Sequence, residues 1–273
     1  MKTLNLHVLT PVLLAIAVAL TYGHTLDVTW YLDDISSIVD NRCIKNLGCA
    51  VNNLTSFRGV SYLTFAINHS LHGLDVGGYH LVNITVHYLS GVVAYMILSR
   101  HLHLPPTWAL AGALFFVVHP VQTQAVTYIV QRMTILSGLM SLMAVLLFCE
   151  AYRIFSTRQR FIELRHLILY STGFCFWLVG VLCKENAVIA PFLILLTLAH
   201  ISGGLNWKNI KGCGYYLMPL MFVVAATIAY VLILLLPQGG DFTDLASMRS
   251  RINTEGISPY NYFLTQWSVF FVY

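Results

Sequence analysis

The sequence predicts an all-α, polytopic transmembrane bundle, and three observations predict it. Hydrophobic residues make up 58% of the 273 residues and charged residues only 10%, with a mean hydropathy of +0.72. A water-soluble domain of this length would struggle to bury so much apolar surface. The apolar residues gather into runs of the length that crosses a ~30 Å hydrocarbon layer as helices. The runs lack the period-two alternation of barrel strands, and backbone groups in lipid must be satisfied internally, so helices are the remaining solution.

The runs read, in order, Leu4–Tyr22, Leu81–Leu98, Trp108–Val118, Ile135–Ala151, Leu167–Leu182, Ala187–Ile201 and Tyr215–Leu236, with another beginning near Tyr262. The first follows Lys2, but "LTYGHTL" lacks a small-residue cleavage pattern and further spans follow, so it reads as a retained helix rather than a signal peptide. The connection from His24 to His80 is the longest, and connections of that length are usually functional or structured themselves. Within it Val60, Leu63, Ile67 and Leu71 recur at helical spacing beside a polar stripe of Ser61, Thr64, Asn68 and His72. That pattern suits an interfacial helix, or equally a helix packed on the rest of the loop. A second amphipathic stretch, "HPVQTQAVTYIVQRM", sets Gln124, Thr127, Tyr128 and Gln131 on one face, flanked by Arg132, and Ala125, Val126, Ile129, Val130 and Met133 on the other. The later loops are short or rich in turn residues, and no internal repeat is visible. We read 1–273 as a single membrane domain, with 24–80 as its first outer loop and with truncation at the C-terminus, because an apolar run is cut at Tyr273.

With the N-terminus inside, the inner loops hold Lys2, Arg100, Arg153, Arg158, Arg160, Arg165, Lys208 and Lys211 of the fifteen Lys and Arg. The local bias is strongest in "YRIFSTRQRFIELRH". Nine acids, among them Asp33, Asp34 and Glu185, then fall outside. Cys43 and Cys49 share the first outer loop and can pair in an oxidising compartment. The net charge of +4 is what positive-inside loops produce, and with aromatics in spans rather than basic patches a nucleic-acid partner is excluded. No metal-type Cys or His spacing is present; His80 and His87 lack a third ligand.

Polar chemistry therefore collects on the outer face. Asp33 and Asp34 adjoin at the start of the long loop. Adjacent acids there can simply cap a helix, yet an ionisable residue at a membrane edge is costly unless used or paired. Lys184–Glu185 occupies a tight outer turn between two spans, and His119, Arg132 and Arg58 complete a set of one acid pair with several cations. Such a set suits deprotonation of a hydroxyl by a carboxylate, with fixed cations stabilising a departing phosphate. Each member also has a plainer reading. Lys184 and Glu185 can be an interfacial ion pair, His119 a satisfied interfacial histidine, and Arg58 and Arg132 headgroup anchors.

The segments "YLDDISSIVDN", "FRGVSYLTFAINHSLHGLDVGGYHLVNITVHYLSGVVAYMI", "FFVVHPVQTQAVTYIVQRMTILSGLMSLMAVLLF" and "CKENAVIAPFLILL" occur in this order. Together they resemble the membrane domain of the transmembrane-and-TPR-repeat protein O-mannosyltransferases and their bacterial relatives, within the C-type glycosyltransferases. The resemblance runs from the first span to the chain end. It implies an enzyme that moves a sugar, mannose in the namesake family, from a polyprenyl- or dolichyl-phosphate carrier to an acceptor protein or glycan on the non-cytoplasmic side. It also implies that Asp33 is the catalytic base, with Asp34 orienting it or binding a cation. Lys184 and Glu185 match the family's "KEN" turn, and His119, Pro120, Gln124 and Arg132 its "HP…R" segment; these residues and Arg58 would bind the lipid phosphate and sugar. Some relatives carry an acid where this chain has Gln124, and the tandem repeats expected after the membrane domain are absent.

A transporter or flippase-like protein is the rival reading, with Asp33, Lys184 and Glu185 as a coupling pathway; an inactive membrane scaffold is a third. Charges in transporters lie near mid-membrane in broken helices, whereas here they cluster at span ends. The sequence leaves open the sugar, the acceptor, any divalent-cation requirement and the host membrane. The resemblance leans towards a bacterial inner membrane, with the endoplasmic reticulum as the eukaryotic alternative. In that case Asn53, Asn68 and Asn83 would head glycosylation triplets.

Overall fold

A computed structural model describes residues 6–56, 58–157, 164–204, 206–209, 211, 216, 218 and 225. The chain divides into two units, 1–221 and 222–273, and every element below belongs to the first. The runs expected at Tyr215–Leu236 and from Tyr262 lie outside the described stretch of continuous chain. All regular structure among the described residues is helical.

Four helices are long and apolar enough to cross a membrane. α1 (Leu6–Tyr22) continues through a 3-10 turn at Gly23–Thr25. α4 covers Val76–Arg100, α7 Arg132–Thr157 and α8 Leu164–Cys183. α4 begins earlier than the hydropathy of Leu81–Leu98 implies because Asp75 is its N-cap, its carboxylate accepting from Gly77 N–H. α7 and α8 pack along each other, and α7 also packs on α4 and on α9 (Ala190–Ile201). Gly180 permits the close approach, since a Cβ there would lie 3.1 Å from Ala187 Cβ and 3.2 Å from Met140 Cβ.

Two of the expected spans are not full-length helices. α5 (Pro106–Val118) has 13 residues, roughly 20 Å of rise and short of the hydrocarbon thickness. At His119 the backbone turns extended ahead of Pro120, and the chain resumes at 45° to α5 through Pro120–Thr127, which includes α6 (Thr123–Thr127). Proline disfavours helical backbone in the residue before it, which accounts for the break. α9 likewise has 12 residues and follows a 3-10 stretch, Glu185–Ile189.

The first outer loop is structured throughout. It holds a π-turn at Ile35–Val39, α2 (Leu47–Asn52), the Cys43–Cys49 disulfide and α3 (Gly59–His72). α3 turns part of its polar stripe inwards: Ser61 and Asn68 are buried with Phe65 and Ala66 and Thr64 is half-buried, while His72 is exposed, as are Ile67 and Leu71. Beneath the loop lies an apolar cluster of Ile38, Ile44, Phe65, Tyr79, Ile129, Val130 and Met133, with Trp30 and Tyr128 packed against it. Each large side chain buried there contributes roughly 1.5–3 kcal/mol relative to exposure. The cluster fixes the acid-bearing loop against the segment that leads into α7.

Candidate active site

The short 3-10 turn Ile129–Gln131 and the residues on either side of it connect the groups singled out in the sequence. Asp34 is 1% exposed. Its Oδ1 accepts from Val130 N–H at 2.7 Å and its Oδ2 from Tyr31 N–H at 3.2 Å. Although Asp34 precedes the π-turn, its side chain does not cap that turn; it ties the loop to the entry of α7. Burial raises its pKa, the two N–H groups and His80 offset part of that, and the neighbouring Asp33 charge adds to the rise. Asp33 is exposed, and its backbone N–H donates to Tyr128 Oη at 2.8 Å. Burial pushes the Tyr128 phenol up; the Asp33 N–H it accepts from offsets part of that, and the charges of Asp33 and Asp34 add to the rise.

On the other side of the same turn, Lys184 Nζ donates to Gln131 Oε1 at 3.2 Å and to Thr134 Oγ1 at 2.7 Å. Asp34 is thus held by Val130 and Lys184 by Gln131, adjacent residues; covalent reach limits the distance from Asp34 Oδ1 to Lys184 Nζ to at most about 16 Å. The Lys184–Glu185 turn is itself braced. Trp177 Nε1 donates to Ala187 O at 3.0 Å, Ser61 Oγ to Cys183 O at 3.1 Å, and Ser137 Oγ to Lys184 O at 3.3 Å. Burial, then the Arg58 cation, pull the Lys184 pKa below the ordinary lysine value, with Glu185 pulling the other way.

Arg58 and Glu185 form an ion pair at 3.1 Å. Burial alone would raise the Glu185 carboxyl, but its own backbone N–H, Arg58 and Lys184 outweigh it and hold the pKa below the usual range. Arg58 has φ 61° and Leu32, next to Asp33, has φ 42°. Left-handed backbone costs a non-glycine residue roughly 1–2 kcal/mol; of the three described non-glycine residues that adopt it, these two flank the site and the third, His103, lies in the connection after α4.

Arg132 departs from the sequence expectation of a phosphate contact. It is 0% exposed. Nε donates to Asn83 Oδ1 at 2.8 Å, Nη1 to Asn68 Oδ1 at 2.7 Å and to Thr64 O at 3.2 Å, and Nη2 to Tyr79 O at 3.0 Å. The guanidinium carbon sits 4.5 Å from the Phe65 ring centroid and 5.5 Å from that of Tyr79. A guanidinium has five N–H donors, and these contacts engage all three of its nitrogens. Arg132 therefore clamps α3 and α4 to the start of α7. His119 is also committed locally: its Nδ1 accepts from Val121 N–H at 3.2 Å and its ring meets Phe115 at 4.9 Å. Gln124 is exposed.

Sequence reasoning passed over Tyr128, Gln131 and Thr134 as site residues, although the first two were visible on the polar face of the second amphipathic stretch. Asn68 and Asn83 looked like glycosylation triplets, but both are buried against Arg132; Asn53 alone of the three is exposed. Among the described residues no group of three or more His, Cys, Asp or Glu could hold a metal ion.

The fold and site define the class: an all-helical integral membrane protein with an acid pair and a lysine turn gathered at one end of its bundle. The chain is similar to TMTC protein O-mannosyl-transferases, at about 30% identity over part of its length. It is 31% identical to Protein O-mannosyl-transferase TMTC4 of Homo sapiens over 160 residues, 48% of this chain and 22% of the relative. It is 29% identical to Tmtc3 of Drosophila melanogaster over 210 residues, 64% and 22% of the two chains, and 33% identical to TMTC1 of Homo sapiens over 150 residues, 49% and 17%. The matched stretch thus spans about a fifth of the length of these curated relatives. No family model matches the chain, and no solved structure matches it.

Proposed function

We propose that this chain carries the donor-side active site of a membrane glycosyltransferase that moves a hexose, mannose by analogy with its relatives' names, from a polyprenyl- or dolichyl-phosphate to a protein hydroxyl. The single observation that carries the reading is the Tyr128–Thr134 segment, which holds the backbone N–H of the exposed Asp33, the buried Asp34 carboxylate and the half-buried Lys184 ammonium on one short stretch of backbone. Asp33 accepts the proton of the attacking hydroxyl. The acceptor oxygen bonds to the anomeric carbon as the bond from that carbon to the phosphate oxygen breaks, which inverts configuration, and the lipid phosphate leaves as an anion. Lys184 and the Arg58–Glu185 pair supply the fixed charge that receives it. Asp34 and Arg132 act through position, the first holding the loop and the second holding the segment beneath it. The isoprenoid tail stays in hydrocarbon while its phosphate lies at the bilayer edge. The relatives reported are animal proteins, which favours the endoplasmic reticulum over the bacterial inner membrane expected from the sequence, with the site on the lumenal side.

The test is transfer of labelled sugar from polyprenyl-phosphate mannose to acceptor peptides by the purified full chain. Asp33→Asn is expected to lower the rate by about 10²–10⁴-fold, the usual worth of a general base, and Lys184→Ala by about 10²–10³-fold, comparable to removing one charge-stabilising donor. Wild-type rates in both variants would remove the site.

A further inference from the structure

The opposite end of the bundle holds a crevice of about 320 Å³ between the C-terminal ends of α4 and α7 and the N-terminal end of α8. Lys184 follows the last residue of α8, and Leu169 of the crevice lies fifteen residues earlier, so roughly 22 Å of helix separates the two. The walls are apolar: Met96 from α4, Leu146 and Leu147 from α7, and Leu169 from α8. The rim is basic, with Arg100, Arg153 and Arg165 contributed by the three helices. Glu150 is the one carboxylate among the described lining residues. It is engaged by Arg153 at 3.0 Å and faces His101 Nε2 at 3.6 Å. Arg100 and Arg165 are exposed, so the rim carries more positive than negative charge even with the Arg153–Glu150 pair in place.

We propose that this crevice binds an anionic phospholipid, its phosphate on Arg100 and Arg165 and the upper part of an acyl chain on the leucine and methionine walls. Charge complementarity selects an anion, and the apolar walls select one that brings hydrocarbon with it, rather than free phosphate. A basic pocket between helices at the cytoplasmic membrane face is a recurrent way of holding such headgroups. On the positive-inside reading these helix ends face the cytoplasm, where the anionic lipids of that leaflet would reach them. The site is independent of sugar transfer at the other end.

The experiment reconstitutes the full chain in phosphatidylcholine vesicles with and without phosphatidylglycerol. After extraction, native mass spectrometry counts retained phosphatidylglycerol for the wild type, Arg100→Gln/Arg165→Gln, Arg100→Lys/Arg165→Lys and Lys208→Gln. Both arginines are exposed, so the double variants are expected to fold, and a monodisperse profile checks this. Wild type should retain the lipid; the Gln pair should bind it about thirtyfold more weakly, given about 1 kcal/mol for each of two basic residues near an anionic surface. The Lys pair should recover most of the retention, and Lys208→Gln, a basic residue outside the crevice, should behave as wild type. Equal retention by wild type and the Gln pair would overturn the proposal. So would an equal loss in Lys208→Gln, which would mean surface charge alone, or displacement of the lipid by millimolar inorganic phosphate, which would mean an anion site without a lipid.

Discussion

Arg132 carries the largest electrostatic burden of any single residue in the described fold. A guanidinium withdrawn from water costs several kcal/mol unless its donors are met, and here neutral amide and carbonyl oxygens with two aromatic faces meet them. Arg132→Leu leaves the buried Asn68 and Asn83 oxygens without their donor, at about 1–3 kcal/mol each. We expect at least ~3 kcal/mol of destabilisation, read as a lowered thermal midpoint in detergent, and Arg132→Lys should fall short of rescue because an ammonium cannot reproduce the planar fork. This arrangement was not legible in the sequence. Arg132 flanks a polar face, as a headgroup anchor would, and its partners lie 49 and 64 residues away, beyond the reach of any local pattern. Lys184 yields a pH prediction. Its pKa is lowered by burial and by Arg58, so as pH rises it loses its charge before an ordinary lysine does. Between its folded value and the ordinary 10.5 the unfolded chain binds more protons, so stability rises with pH in that window while the charge proposed to receive the phosphate is lost. Transfer should therefore fall on an alkaline limb without loss of the fold. Lys184→Arg, which stays charged, should abolish that limb in a pH–rate profile; a limb persisting unchanged in Lys184→Arg would assign it to another group.

The element that ties the outer loop to the lysine turn is α3, whose Ser61 donates to Cys183 O at the end of α8 and whose first residue follows Arg58, the partner of Glu185. Its start is tightly constrained: a Cβ at Gly59 would lie 2.3 Å from Asn53 O and 2.4 Å from Leu54 O. Both are backbone atoms, so no side-chain rotation relieves the overlap. Gly59→Ala should cost roughly 1–3 kcal/mol as overpacking and shift Arg58 away from Glu185, lowering both the thermal midpoint and transfer; an unchanged midpoint would show that α2 can move freely. At this scale most of the long elements were legible. Hydropathy located α1, α4, α7 and α8 because spans must be apolar along their length, and the 3.6-residue period found α3 and the second amphipathic stretch. It began α9 three residues early, since apolar composition does not report where a 3-10 stretch precedes a helix, and it found α5 to within two residues without showing how short that helix is for a span. The inward direction of α3's polar stripe was legible only as an alternative, because a helix in lipid and one packed on protein share the same period.

For the whole molecule the central question is sidedness, because the proposed carrier-lipid mechanism needs the acid pair and the lysine turn on the non-cytoplasmic side, and the proposed lipid crevice lies at the other end of the same helices. The geometry of α7 separates the two ends. α7 starts at Arg132, two residues beyond the Val130 N–H that holds Asp34, and after 26 residues, roughly 39 Å of rise, ends past Glu150 and Arg153, which line the crevice. A helix of that length crosses the hydrocarbon layer with turns to spare, so its two ends cannot share a leaflet. Which end faces the cytoplasm follows from the arginines at the crevice end under the positive-inside rule. Cysteine labelling in sealed, oriented vesicles tests the assignment. Ser36 and Ser156 are exposed and lie at opposite ends of the bundle, so each can be replaced singly by Cys in a background where Cys149, Cys175 and Cys183, free in the fold, and Cys213 are changed to Ala. Ser36→Cys is expected to react with an impermeant maleimide only from the non-cytoplasmic side, and Ser156→Cys only from the cytoplasmic side. The reverse pattern would place Asp33 and Lys184 opposite the compartment in which the Cys43–Cys49 pair forms, and a lipid-linked donor presented at the outer face could not reach them.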